Sequence, residues 1–214
     1  MTTPGFPRVF SQVHNTVTNK DERLEFTNLR KELWETGEGT INYLNLIFDA
    51  TLDGGAVLAK VVFRPYGKDV HAHLAAQSMA PQLYGTSDVQ GPASVVIMEL
   101  LEGGWMTLFD YRENRYRNGI PSGAKELLLK RLEEMLDCLE AAGMVHGDFR
   151  MANIMVKQDD EGKAMLIDFD WAGAAEMVKY PVTRSIGFGY PGCAGGLIGA
   201  KDDRLFYQTW KDQL

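Results

Sequence analysis

The sequence predicts an α+β chain, and three observations carry that expectation. Short strand-like runs broken by glycine turns fill residues 33–63. An amphipathic stretch of helical period covers residues 122–141. A polar-ended hairpin follows at 154–167. At 214 residues the chain is one domain or two small lobes.

Residues 1–20 are polar and turn-rich, with Pro4, Gly5 and Pro7, and read as a flexible arm. Residues 21–31 are charged, with Leu24, Phe26 and Leu29 irregularly spaced, and fit a short helix or the run into a strand. Residues 33–41 and 43–48 read as strand, glycine turn, strand. Leu52-Asp53-Gly54-Gly55 is a hairpin signal, and residues 56–63 make the next strand. Pro65-Tyr66-Gly67 breaks it, and residues 68–79 read as a helix with Val70 and Leu74 on one face, ended by Ala80-Pro81. The apolar run of residues 94–101 is a buried strand ended by Gly103-Gly104. Residues 106–117 read as a helix or broken helix; its Arg112, Arg115 and Arg117 fit either solvated side chains or contacts to an anionic substrate. The long helix starts at Pro121-Ser122, with Ser122 as N-cap. Its apolar stripe is Leu127, Leu128, Leu132, Met135, Leu136 and Leu139, and Gly143 stops it. Residues 180–200 form a Gly/Pro-rich loop long enough to be functional or mobile, and residues 201–210 a last helix.

The chemistry concentrates at residues 144–170. Ile154-Met155-Val156 and Met165-Leu166-Ile167 flank the polar turn 158–162, and a hairpin brings its open ends together. Asp148, Asn153 and Asp168 sit at those ends. Two carboxylates and a carboxamide in one place suit a hard cation such as Mg²⁺. Each residue alone fits a polar turn with capping Asp and Asn.

His146-Gly147-Asp148, Asn153 five residues beyond Asp148, and Asp168-Phe169-Asp170 together resemble the catalytic and metal-binding loops of the protein-kinase-like superfamily. Gly147 in place of the usual Arg is similar to aminoglycoside and choline phosphotransferases and to divergent fungal kinase-like proteins. The resemblance implies a two-lobed fold, a small antiparallel β lobe and a mainly helical lobe, and an ATP- and Mg²⁺-dependent phosphotransferase. Asp148 would be the catalytic base, with Asn153 and Asp168 on the metal. Lys60, in Val-Leu-Ala-Lys-Val-Val, would meet the α/β-phosphates. Gly37 and Gly39 would take the place of the phosphate-covering loop, although the longer glycine pattern is absent and a plain β-turn fits them as well. Backbone groups of Glu99 and Leu101 would hold adenine, with Met98 bordering the pocket. Asp202 or Asp203 would brace the catalytic loop from below. The usual helix Glu that pairs with the strand lysine is missing; Asp69 is the one acidic residue of that helix. Asp170 departs from the family's glycine.

The resemblance implies lobes at 21–101 and 102–214, the first with one helix, the second shortened at its end. The acceptor the resemblance implies would be a hydroxyl of a protein or a small molecule. A pseudokinase that binds nucleotide or protein without transfer is the competing expectation, supported by the missing Glu, the short glycine loop and Asp170.

A net charge of −7 argues against general nucleic-acid binding. No apolar run reaches a membrane span and no secretory leader is visible, so an intracellular, cytoplasmic protein is expected. Cys138 and Cys193 fit free thiols. His71 and His73 lack a third ligand at metal spacing and read as surface histidines.

Overall fold

The structure is a computed structural model and describes residues 9–30, 45–88, 93–116, 123–184, 187 and 189–214. Contacts divide the chain into two units. One comprises Met1–Pro65 with Gln82–Leu100, the other Tyr66–Pro81 with Leu101–Leu214.

The first unit is a six-stranded antiparallel sheet of β1 (Val9–Asn15), β2 (Lys20–Leu29), β3 (Asn45–Leu52), β4 (Gly55–Val62), β5 (Leu83–Asp88) and β6 (Ser94–Glu99). The order is β1-β2-β3-β4-β6-β5. Asp53 and Gly54, at φ +45° and +86°, make the expected tight turn between β3 and β4. Val57, Ala59, Val61, Val95 and Ile97 recur with period two on one face and join Leu24 and Phe48 in this unit's core. Lys60 alternates to the opposite face and is nonetheless only 5 % exposed.

Two readings change here. Residues 9–20, expected within a flexible arm, form β1 and its turn into β2. Buried Asn15 explains this: its carboxamide accepts from the Val17 and Thr18 amides (2.9 and 3.2 Å) and donates to Glu22 (2.8 Å). The alternative left open at 21–31 resolves as strand. The expected strand and glycine turn at 33–44, with Gly37 and Gly39, lie outside the described residues.

The second unit contains α1 (Lys68–Ala75), β7 (Trp105–Thr107), α2 (Leu108–Tyr116), α3 (Ala124–Ala141), β8 (Met144–Val145), β9 (Ile154–Lys157), β10 (Asp160–Leu166), β11 (Gly173–Ala174) and α4 (Asp202–Trp210). Helix α1, grouped by expectation with the sheet, makes its contacts in this unit. Val70 and Leu74 enter its core, and His71 stacks on Phe169 at 4.4 Å and 9°. His71 is fully buried rather than a surface histidine, because Tyr66 Oη (2.8 Å) and the Pro81 carbonyl (2.8 Å) satisfy both ring nitrogens. Along α3 the stripe of residues 128, 132, 135, 136 and 139 is buried, whereas Leu127 is 55 % exposed. The cap also differs: Gly123, at φ +87°, precedes the helix, and Ser122 lies outside the described residues. Both cysteines are free thiols. Among the described residues no helix is long and apolar enough to cross a membrane.

Candidate functional site

The site is built where α3 hands the chain to β8 and the β9–β10 hairpin returns. Gly143 (φ +64°) ends α3, and two residues of β8 pair with β11. The chain then turns sharply at Gly147, φ +81°. A Cβ there would fall 2.7 Å from Ile198 and 3.1 Å from Trp171, so a side chain fits neither the backbone angle nor the space. This gives a physical reason for Gly at the motif's second position.

Next comes Asp148, 5 % exposed, followed by a 3₁₀ turn over Met151–Asn153 and the hairpin. The hairpin mouth closes as expected: the Ile167 amide donates to the Asn153 carbonyl at 2.9 Å. Asn153 Nδ2 donates to the Asp148 carbonyl (3.0 Å) and to its Oδ2 (2.8 Å). Arg150 Nε stands 3.0 Å from the same Oδ2. Tyr190 Oη donates to Oδ1 at 2.6 Å.

Burial pushes the Asp148 carboxyl up from the ordinary carboxylate value; Arg150, the Tyr190 hydroxyl and Asn153 pull it back, and Asp168 adds to the rise. The charge of Asp168 is thus felt at Asp148. Asp168 itself sits at φ +68°, a left-handed conformation that few non-glycine residues adopt. Such strain concentrates at functional sites.

Beneath the loop, Asp203 of α4 accepts from the His146 amide (2.6 Å) and the Gly147 amide (2.8 Å). Of the two expected braces it is Asp203 that serves. Asp202 instead accepts from Tyr180 Oη (3.0 Å) and the Gly199 amide (3.0 Å). Burial raises the Asp203 carboxyl, opposed by His146 and the two amides.

Both bonds that Asn153 makes to Asp148 use Nδ2, and the carboxamide oxygen is the atom of that side chain able to bind a cation. With the Asp168 carboxylate this is an all-oxygen pair. Magnesium carried with phosphates uses one or two protein ligands, so the pair fits it. Among the described residues no group of three His, Cys, Asp or Glu converges as a metal cage.

The remaining expected residues lie on other elements. Lys60 lies on β4 between Ile47 of β3 and Val96 of β6. Glu99 ends β6, its amide donating to the Gln82 carbonyl (2.8 Å) and its carboxylate accepting from the Gln82 amide (3.0 Å). Leu101 opens the second unit's main segment. Arg112 lines a cleft of about 600 Å³ with Phe109, Arg150, Phe206 and Trp210, and bonds Glu113 and Gln213. The side chains of Arg115 and Arg117 lie outside the described residues.

Two contacts to Asp148 escaped the sequence. Arg150 carries a signal, a cation two residues beyond the acid. Tyr190 carries none, since it reaches Asp148 from 42 residues away across a loop without periodicity.

A small antiparallel sheet unit, a mainly helical unit and an Asp–Asn–Asp hairpin mouth define a protein-kinase-like fold. Two solved structures share it. The Cydia pomonella granulovirus kinase PK-1 matches with TM-score 0.53 at 14 % identity, over 76 % of this chain and 58 % of its own. Vaccinia related kinase 3 matches with TM-score 0.59 at 12 % identity, over 96 % of this chain and 67 % of its own. The chain therefore spans under two thirds of the first of these proteins and about two thirds of the second. The lipopolysaccharide kinase (Kdo/WaaP) family matches residues 76–179. No curated protein sequence matches the chain. The chain has a protein-kinase-like fold.

Proposed function

We propose that the chain is an ATP- and Mg²⁺-dependent phosphotransferase acting on a hydroxyl acceptor. The observation that supports this most is the buried Asp148 carboxylate, held by Asn153 at 2.8 Å and flanked by Arg150 at 3.0 Å, with Asp168 close enough to shift it.

In this reading Asn153 and Asp168 hold the metal, which neutralises phosphate charge and orients the γ-phosphoryl. Asp148 accepts the hydrogen bond of the acceptor hydroxyl and aims its oxygen for in-line attack. Arg150 offsets negative charge beside that oxygen. Lys60, on its buried strand position, is the first unit's candidate for a phosphate contact. Glu99 and Leu101 contact adenine through backbone groups. The Glu99 amide is engaged with Gln82, so the adenine contact at Glu99 falls to its carbonyl. The cleft beside Arg112 and Arg150 has room for a small acceptor. We place the protein inside the cell. The rival reading, a pseudokinase, gains one structural observation: a tyrosine already sits on Asp148.

A thermal-shift titration with ATP, with and without Mg²⁺, on wild type and Asp168→Ala tests the proposal. Ligand at a hundredfold excess over Kd stabilises by about 2.7 kcal/mol, a rise of several degrees for a domain of this size. A Mg²⁺-dependent rise that Asp168→Ala removes supports the nucleotide site. No rise in any condition sinks it.

A further inference from the structure

Any acceptor hydroxyl must donate a hydrogen bond to Asp148 before its oxygen can attack phosphorus. One hydroxyl of this chain already makes that bond. Tyr190 Oη donates to Oδ1 at 2.6 Å, while Oδ2 is occupied by Asn153 and Arg150. The phenol is not there loosely. Its ring packs on Phe206 at 4.6 Å between centroids, on Trp171 at 5.4 Å and on Tyr180 at 5.8 Å. The Arg184 guanidinium lies 5.0 Å over it. Four side chains therefore hold one phenolic oxygen against the group that orients the nucleophile, the arrangement that makes a reaction effectively intramolecular.

We propose that Tyr190 is a self-substrate, phosphorylated by the site of its own chain. The inference rests on the phosphotransferase reading above. The phenolic oxygen forms a bond to the γ-phosphorus of Mg-ATP as the bond to the β,γ-bridging oxygen breaks. ADP departs with that electron pair, and the phenolic proton passes to Asp148. The product no longer has the O–H that held Asp148, and it carries close to two negative charges beside the Asp148 and Asp168 carboxylates. Repulsion drives the phosphorylated side chain off the carboxylate, and Arg184 on the same loop is a partner for it. Asp148 is then open to an external acceptor.

The test incubates the full chain with Mg-ATP and maps phosphotyrosine by peptide mass spectrometry, with Mg-ATP thermal shifts recorded in parallel. The expected result is one phosphoryl group on Tyr190, with a first-order rate constant independent of protein concentration. Tyr190→Phe removes it, and Asp148→Asn slows it by about a hundredfold or more. Should Tyr190→Phe fail to fold, the isosteric Asp148→Asn decides alone. A fractional rate that rises in proportion to protein concentration overturns the intrachain step. Asp148-dependent transfer to water or an added acceptor with Tyr190 unmodified overturns this inference and leaves the phosphotransferase reading standing. Mg-ATP binding without any transfer also overturns it. Absence of Mg-ATP binding overturns the reading itself.

Discussion

His146 has both ring nitrogens committed: Nε2 donates to the Ile167 carbonyl (3.0 Å) and Nδ1 accepts from the Asp148 amide (3.3 Å). Only the neutral ring with its proton on Nε2 satisfies both. Burial lowers its pKa from the ordinary 6.5, with Asp203, Asp168 and the two backbone bonds opposing. A group whose folded pKa is depressed is protonated first in the unfolded chain as pH falls, so stability is full above about pH 6.5 and is lost below it. Asp203 acts in the opposite sense, its raised pKa adding stability as pH falls toward the ordinary carboxylate range. The comparison of wild type with His146→Asn therefore isolates the imidazole: urea unfolding should weaken with acidification less steeply in the variant. Equal slopes would exclude the neutral buried ring. At the next residue, Gly147→Ala imposes a positive φ and a 2.7 Å approach to Ile198. A loss of about 1–3 kcal/mol is expected, read as a lower Tm by calorimetry. The motif's residues were legible in the sequence because each is a rare type at a fixed interval. The bonds that hold them were not, since Tyr190 and Asp203 arrive from distant segments.

At the scale of elements, helical period located α3 but drew its stripe one residue too wide. Leu127 and Leu128 are neighbours in sequence, and only the second faces the core. Leu132→Ala, at a fully buried position, should cost about 2–5 kcal/mol; Leu127→Ala should change stability by less than about 0.5 kcal/mol. Chemical denaturation of both variants checks the pair, and equal effects would contradict the assigned face. The hairpin was legible because two β-branched or apolar runs flank a polar turn. Strands β5 and β7 were not: Leu83–Asp88 holds Gly, Thr, Ser and Asp, and Trp105–Thr107 is three residues long. Those strands exist because partners β6 and β9 offer them a ladder, a tertiary cause that local pattern does not carry.

At the scale of the molecule, the chain passes between its two units after residues 65, 81 and 100. The excursion 66–81 brings Val70, Leu74, Met79 and Ala80 into the second core. A fragment of residues 101–214 would expose the apolar surface these four cover. It should melt without cooperativity by circular dichroism, and a sharp transition would show that the excursion is dispensable. Composition could not reveal this, because nothing in residues 66–81 states which of two cores it will join.

The six-stranded sheet bends until its outer members meet. The Thr16 amide donates to the Tyr84 carbonyl at 2.6 Å, and Gly85 lies so near the His14 carbonyl that a Cβ would stand 2.5 Å from it. At that corner the hydrogen-bonding edges of β1 and β5 are turned on each other. An extended segment seeking to add a strand at that corner finds the Tyr84 carbonyl already taken. Gly85 is what permits the approach: a bulkier residue would push the His14 carbonyl away and open that corner.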